Sequence, residues 1–159
     1  MTITIAPRVQ RITPSPTLEV TARAQALIRA GRDIISFGIG EPDFATPEHI
    51  QIAAAAAVAA GASKYTAVAG IPELRAAVAA ELSTVHGVSF RPEEVVVSTG
   101  AKQSLFNTFM AILADGDEVI VPTPCWPSHV ELVRMAGGVP VLLPQRFEDS
   151  FHINAEELK

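Results

Sequence analysis

The chain has 159 residues, a length that suits one domain with a real hydrophobic core. Hydrophobic residues make up 48% of it and charged residues 18%, a balance that predicts a folded protein and excludes a disordered one. The net charge is −5 and no basic run occurs, so nucleic acid and anionic membrane surfaces are poor candidate partners.

Cysteine and histidine usage narrows the chemistry further. The single cysteine, Cys125, cannot form an internal disulfide bond, which favours a reducing cytoplasm as the compartment. The four histidines are far apart and lack metal-ligand spacing, so no metal site is predicted. The first residues lack the pattern of a signal peptide, and the alanine-rich run 52–60 is too short to span a bilayer.

The chain begins with a proline-rich stretch. Residues 1–15 are predicted to be an irregular arm that lies on other parts of the protein. The apolar spacing over 17–30 predicts a first helix, and Gly31 is expected to end it. Residues 34–37 are expected to form a short strand or an extended segment, and residues 38–44 a loop.

Two further helices are predicted before residue 90. The second helix is expected to start after Thr46, a good N-cap residue, with Pro47 at its first position, and to run to Gly61. The third helix is predicted over residues 72–86, with Gly87 at its end. Tyr65 lies in the loop between them.

The second half alternates strand and helix patterns. The predicted strands cover residues 95–97, 118–121 and 139–143, and the predicted helices run from Ala101 to the turn at 115–117 and from Pro127 to Ala136. This alternation predicts right-handed crossovers that build a parallel sheet, the arrangement of an α/β fold. Asn154, with Glu157 three residues later, predicts the start of another helix that reaches Lys159.

The turn between the first predicted strand and its helix is a candidate anion site. Ser98-Thr99-Gly100 leads directly into the helix, so unpaired backbone N–H groups and the positive end of the helix dipole are expected at the turn. A phosphate is the commonest anion in such a place. An ordinary strand-to-helix connection with nothing bound explains the turn equally simply, and the turn alone favours that alternative.

Other catalytic motifs do not fit. Gly38-Ile39-Gly40 is not a dinucleotide-binding fingerprint, because Asp43 stands where the third glycine is required. No P-loop and no serine-hydrolase elbow are present in the sequence. Cys125 and His129 are a weak nucleophile–base candidate, since most lone cysteines are structural.

Two aromatic residues are candidate ligand contacts. Trp126 follows a predicted strand, where ligands of open parallel sheets bind, and it could either stack on a planar ligand or fill the core. Tyr65 lies in a glycine-bounded loop, where its hydroxyl could reach a phosphate or where it could be a half-buried surface residue.

Four runs of the chain, taken in order, closely resemble the class I/II aminotransferases. The runs are Phe37–Pro47, Lys64–Arg75, Ser98–Asn107 and Asp115–Trp126. These enzymes are fold-type I proteins that use pyridoxal 5′-phosphate (PLP), and the bacterial aspartate and aspartate/prephenate branch is the most similar. The resemblance implies a partial three-layer α/β/α large domain with a mostly parallel sheet and an N-terminal helical arm. Residues 1–31 are then the arm and first helix, part of the small domain, and residues 32–159 the N-terminal part of the PLP-binding domain.

The resemblance also assigns roles to individual residues. Gly38 is expected to offer its backbone to the substrate α-carboxylate. The side chain of Tyr65 is expected to reach the cofactor phosphate of the other subunit of a homodimer. Trp126 is expected to stack on the cofactor ring and to shape the substrate pocket. The backbone amides expected to bind the phosphate are those of Gly100, Ala101 and Lys102.

The function implied is transfer of an amino group between an L-amino acid, aspartate above all, and a 2-oxo acid. The family's lysine that binds the cofactor covalently belongs to a later segment, so no catalytic residue is assigned here and the chain alone is predicted to be inactive. Thr13 replaces a lysine found in some prephenate-using relatives, which argues against prephenate. A β-lyase or decarboxylase of the same fold, and an inactive PLP-fold module that binds a partner, are the alternatives.

Overall fold

The computed structural model describes residues 4–158. Met1–Ile3 of the predicted arm and Lys159 of the predicted last helix lie outside the described residues. The helices are α1 Pro7–Gln10, α2 Pro16–Arg29, α3 Glu48–Ala59, α4 Pro72–His86, α5 Ala101–Ile112 and α6 Pro127–Met135. The strands are β1 Glu118–Thr123 and β2 Val139–Pro144, and short 3-10 turns cover Pro92–Glu94 and Ala155–Leu158.

Five predicted helices are confirmed as α2 to α6, with small changes at their ends, whereas the predicted last helix is a 3-10 turn over Ala155–Leu158. α4 has the predicted bounds because both ends are encoded locally: Pro72 opens it, and Gly87 closes it in the left-handed conformation with φ 64°. The predicted N-cap of α3 is wrong by one residue, since Pro47 rather than Thr46 occupies that position and no side chain caps the helix. Asn154 does act as a cap, because its Oδ1 accepts the amide of Glu156 at 3.0 Å.

Part of the predicted irregular arm is helical. Pro7 opens the single turn of α1, and Ala6 precedes it in an extended conformation. The prediction missed this turn because four residues are too few for a periodic apolar pattern. α1 contacts α6, so this part of the arm packs on a helix that is distant in sequence.

The parallel sheet is built from β1, α6 and β2. Among residues 4–158 it has two strands, paired in parallel from Glu118 opposite Val139 to Thr123 opposite Pro144. The connecting α6 packs on both strands and buries Val133 completely. This strand–helix–strand unit confirms the predicted α/β class.

The prediction of a parallel strand at residues 95–97 is wrong. Residues 95–98 are irregular, and their backbone makes a single bond of the kind a sheet would need, from the Val97 amide to the Ala69 carbonyl at 2.9 Å. Val95 is nevertheless buried, so its apolar character predicted burial correctly but not pairing. A strand requires a hydrogen-bonded neighbour, and an apolar run does not specify one. Residues 34–37, predicted as a short strand or an extended segment, form no strand, and the side chain of Phe37 is almost fully exposed.

The chain divides into two compact units. The sheet unit comprises the described residues up to Gly31 and from Thr99 onward, and it contains the sheet with α1, α2, α5 and α6. The helical unit is Arg32–Ser98, with α3, α4 and the 3-10 turn that packs against α4. The predicted division at residues 31 and 32 into an arm and a PLP-binding domain stays a prediction.

Candidate functional site

The turn before α5 has the conformation that the anion-site hypothesis requires. Gly100 is the N-cap of α5 with φ 88° and ψ 166°, a region that is essentially restricted to glycine. An added Cβ would meet no described atom within 4 Å, so the need for glycine is conformational rather than steric. Gln103 fixes Thr99, the residue before Gly100, because the Gln103 Oε1 accepts hydrogen bonds from both the amide and the hydroxyl of Thr99.

Three consecutive amides at this turn are free to bind a ligand. Gln103 and Ser104 donate their amides to the carbonyl of Gly100, at 3.1 and 3.3 Å. The amides of the three residues before them have no acceptor among residues 4–158; they belong to Gly100, Ala101 and Lys102. Free N–H groups at the positive end of a 12-residue helix suit a phosphate. The residues present therefore fit the phosphate group of PLP.

Trp126 lies at the N-terminus of the neighbouring helix. It is the N-cap residue of α6, three positions after the end of β1, and its side chain is 55% exposed. The alternative in which Trp126 fills the core is therefore wrong. The exposed indole offers flat apolar surface at the carboxyl end of a parallel strand, the place where ligands of such sheets bind.

Lys102 joins the turn to Trp126. Its ammonium group lies 5.6 Å from the centroid of the Trp126 ring, within the range of a cation–π contact. From the sequence, Lys102 is expected to act only through its backbone, because a contact between residues 24 positions apart leaves no local pattern. Lys102 thus brings together the free amides and the exposed indole.

A cavity of about 460 Å³ opens beside Lys102 in the sheet unit. One wall is the segment 12–16, and the facing wall is α6 from Pro127 to Met135. The lining is mostly apolar, and its charged groups among the described residues are Lys102 and Glu131. Sequence reasoning missed Glu131, whose partner in the N-terminal segment is 118 positions away.

The two candidates in the helical unit lie in loops. Gly38 forms a bend, and its amide is 3.4 Å from Oγ of Ser36, a long contact that leaves it available to a stronger acceptor. Tyr65 is fully exposed rather than half-buried. Their proposed contacts with substrate and cofactor stay predictions.

The cysteine candidate gains no support. Cys125 is a free, half-buried cysteine. His129 lines a small apolar cavity together with Val133 and Phe109. The described part of the chain holds no cluster of three or more potential metal ligands. None of its helices is both long and apolar enough to cross a bilayer.

Comparison with known proteins identifies the family. The family model for aminotransferase class I and II matches residues 32–159. The chain belongs to the class I and II aminotransferases, and the recognition made from its motifs is confirmed. The cofactor of this family is PLP.

The similar proteins are aspartate and aspartate/prephenate aminotransferases. The chain is 48% identical over 155 residues to a probable aspartate/prephenate aminotransferase of Aquifex aeolicus, covering 98% of this chain and 39% of that protein. It is 44% identical over 155 residues to the aspartate aminotransferase of Bacillus subtilis, with coverage of 98% and 39%. The chain therefore spans about two fifths of the length of these curated relatives.

Solved structures confirm the fold. The aspartate aminotransferase of Thermus thermophilus with maleate superposes with a TM-score of 0.91 at 47% identity, covering 99% of this chain and 41% of that one. The aspartate aminotransferase of Rhizobium meliloti gives 0.92 at 43% identity, with coverage of 99% and 39%. The chain thus has part of the α/β fold of the PLP-dependent aminotransferases.

Proposed function

We propose that the protein to which this chain belongs is a PLP-dependent aminotransferase that moves an amino group between an L-amino acid, aspartate above all, and a 2-oxo acid. Family membership and the aspartate and aspartate/prephenate aminotransferases among its relatives support this proposal. The observation that carries it is the set of three free amides at the Gly100 turn beside exposed Trp126.

The residues of this chain bind the cofactor and orient the substrate. The bound cofactor supplies an electron sink for the amino-group chemistry. The amides of Gly100, Ala101 and Lys102 hold the phosphate, and the α5 dipole adds attraction for its negative charge. The indole of Trp126 covers one face of the cofactor ring and excludes water from it. The backbone of Gly38 holds the substrate α-carboxylate.

The working assembly is a homodimer in the cytoplasm. Tyr65 donates its hydroxyl to the cofactor phosphate of the partner subunit, and its full exposure in this chain leaves it available for that contact. None of the three lysines of the sequence, Lys64, Lys102 and Lys159, has the sequence context of the family lysine that binds the cofactor covalently. The 159-residue chain by itself is therefore expected to be inactive.

The experiment compares two glycines that share a positive φ. Gly100 and Gly61 have φ of 88° and 87°, and neither has a described atom within 4 Å of an added Cβ. Glycine-to-valine substitution at either position strains the backbone by about 1–3 kcal/mol, but only Gly100 adjoins the free amides. In the intact protein we expect Gly100→Val to weaken PLP binding about 10- to 100-fold, and Gly61→Val to change it less than about twofold.

Pyridoxal without its phosphate separates the proposed contact from a general loss of structure. Its affinity, measured by equilibrium dialysis, should change much less in Gly100→Val than the affinity for PLP. If the two variants bind PLP alike, or if pyridoxal and PLP lose equal affinity, the phosphate role of this turn is wrong.

A further inference from the structure

Glu131 ties the N-terminal segment to α6. Its Oε2 accepts the backbone amide of Thr13 at 2.9 Å, and its Oε1 accepts Nη1 of Arg134 at 2.7 Å. The Glu131 side chain is only 24% exposed. Hydrogen bonds to an ionised carboxylate are about twice as strong as neutral ones, and both oxygens of this one are in use.

The tethered residues form one wall of the cavity beside Lys102. Residues 12–16 line that cavity across from α6, and Glu131 itself lies in its lining. Pro14 and Pro16 have no N–H to donate, so the segment has three backbone donors, and that of Thr13 is the one bound to Glu131. α2 begins at Pro16, at the end of the same segment.

The other tether of this segment is weaker. Nη1 of Arg11 lies 3.3 Å from Oδ1 of Asp115, and both side chains are largely exposed, at 47% and 81%. Exposed ion pairs contribute little and are screened by salt. Among the hydrogen bonds and ion pairs of the described residues, the Glu131–Thr13 bond is therefore the stronger tether at residues 12–16, and it acts beside the packing of α1 on α6.

We propose that Glu131 is a positioning residue that holds the N-terminal wall of this cavity and so sets the width available to a substrate. It acts through the Thr13 amide. The inference rests on the proposed function, because it takes the cavity between Lys102, α6 and residues 12–16 to receive the substrate.

The test removes the hydrogen bond between Thr13 and Glu131 from either side in the intact, PLP-loaded protein. Glu131→Ala deletes the acceptor, and Thr13→Pro deletes the donor while leaving the Glu131–Arg134 pair in place. We expect both to raise KM for aspartate about tenfold with kcat changed less than twofold. Glu131→Gln keeps an acceptor oxygen and should restore KM to within about threefold of the wild type.

Amide hydrogen exchange provides a readout that does not depend on activity. The Thr13 amide should exchange at least tenfold faster in Glu131→Ala than in the wild type, and nearly normally in Arg134→Ala, which breaks only the ion pair. Glu94→Ala is the matched control. Glu94 accepts a backbone amide and a guanidinium in the same way, but both come from Arg91, within the helical unit.

Two results would overturn the proposal. One is unchanged Thr13 exchange in Glu131→Ala, which shows that Glu131 does not hold the segment. The other is faster exchange with unchanged KM, which shows that the held segment does not shape the substrate site. Failure of the wild-type protein to bind PLP would instead overturn the proposed function, and the exchange rates would still decide whether Glu131 is the clamp.

Discussion

The sheet unit and the helical unit use apolar residues differently. In the sheet unit, β1, α6 and β2 close around Val121 and Val133, which are buried. In the helical unit, α4 buries Ala79 against its neighbours, whereas no residue of α3 is buried. α3 is rich in alanine, which favours helix but offers little surface for packing. Helix formation and core formation are thus separate properties, and α3 has the first without the second.

The largest expected effect tests this difference with two valines. Val133 on α6 is fully buried and Val58 on α3 is 69% exposed. Val133→Ala should lower the free energy of unfolding by about 2–3 kcal/mol, because it removes buried methyl groups and leaves a cavity. Val58→Ala should change it by less than about 0.5 kcal/mol. Urea unfolding of the 159-residue variants measures both, and an equal loss from the two would break the comparison.

The next effect concerns the tightest backbone approach of the helical unit. Gly70 has φ 104°, and an added Cβ would lie 2.7 Å from Cγ2 of Val97. Gly70→Ala should therefore cost about 2 kcal/mol through backbone strain and overpacking. Gly87 also has positive φ but open space around it, so Gly87→Ala should cost about 1 kcal/mol. Thermal unfolding compares them; equal costs would show that the Val97 contact is not tight.

The smallest effect is the pH dependence of stability that arises from Glu94, whose carboxylate accepts hydrogen bonds from Arg91. The Arg91 amide and then its guanidinium hydrogen-bond the carboxylate and hold the pKa of Glu94 below its ordinary value of 4.5. A pKa lowered by folding stabilises the folded state above about pH 4.5, and this contribution is lost as the pH falls through the folded-state pKa. An NMR titration of the Glu94 carboxyl carbon should give a pKa below 4.5.

Two variants check the cause of that shift. Arg91→Ala removes the guanidinium but keeps the backbone amide, so the pKa of Glu94 should rise only part of the way to its ordinary value. Glu93→Gln serves as the control, because the two hydrogen bonds from Arg91 go to Glu94 and not to the side chain of Glu93. A Glu94 pKa at or above the ordinary value in the wild type would show that the two Arg91 hydrogen bonds do not stabilise the Glu94 carboxylate.

The sequence predicted elements whose signals are local and missed contacts that are not. Pro72 and Gly87 defined α4, and the change from apolar run to helical spacing at Gly100 located the turn of the candidate site. The strand at 95–97 was predicted wrongly because an apolar run does not name its pairing partner. Glu131 was missed because its bond to Thr13 joins residues that are brought together only by folding.

The sheet itself has a consequence for self-association. Among residues 4–158, β1 and β2 each pair on one side only, which leaves a row of peptide groups along each outer edge. Both strands contain proline, at positions 122, 140 and 144, and proline nitrogen has no hydrogen to donate. An extended segment of a second molecule that added to this sheet would meet interrupted donors. The prolines thus leave gaps in the backbone donors of both strands.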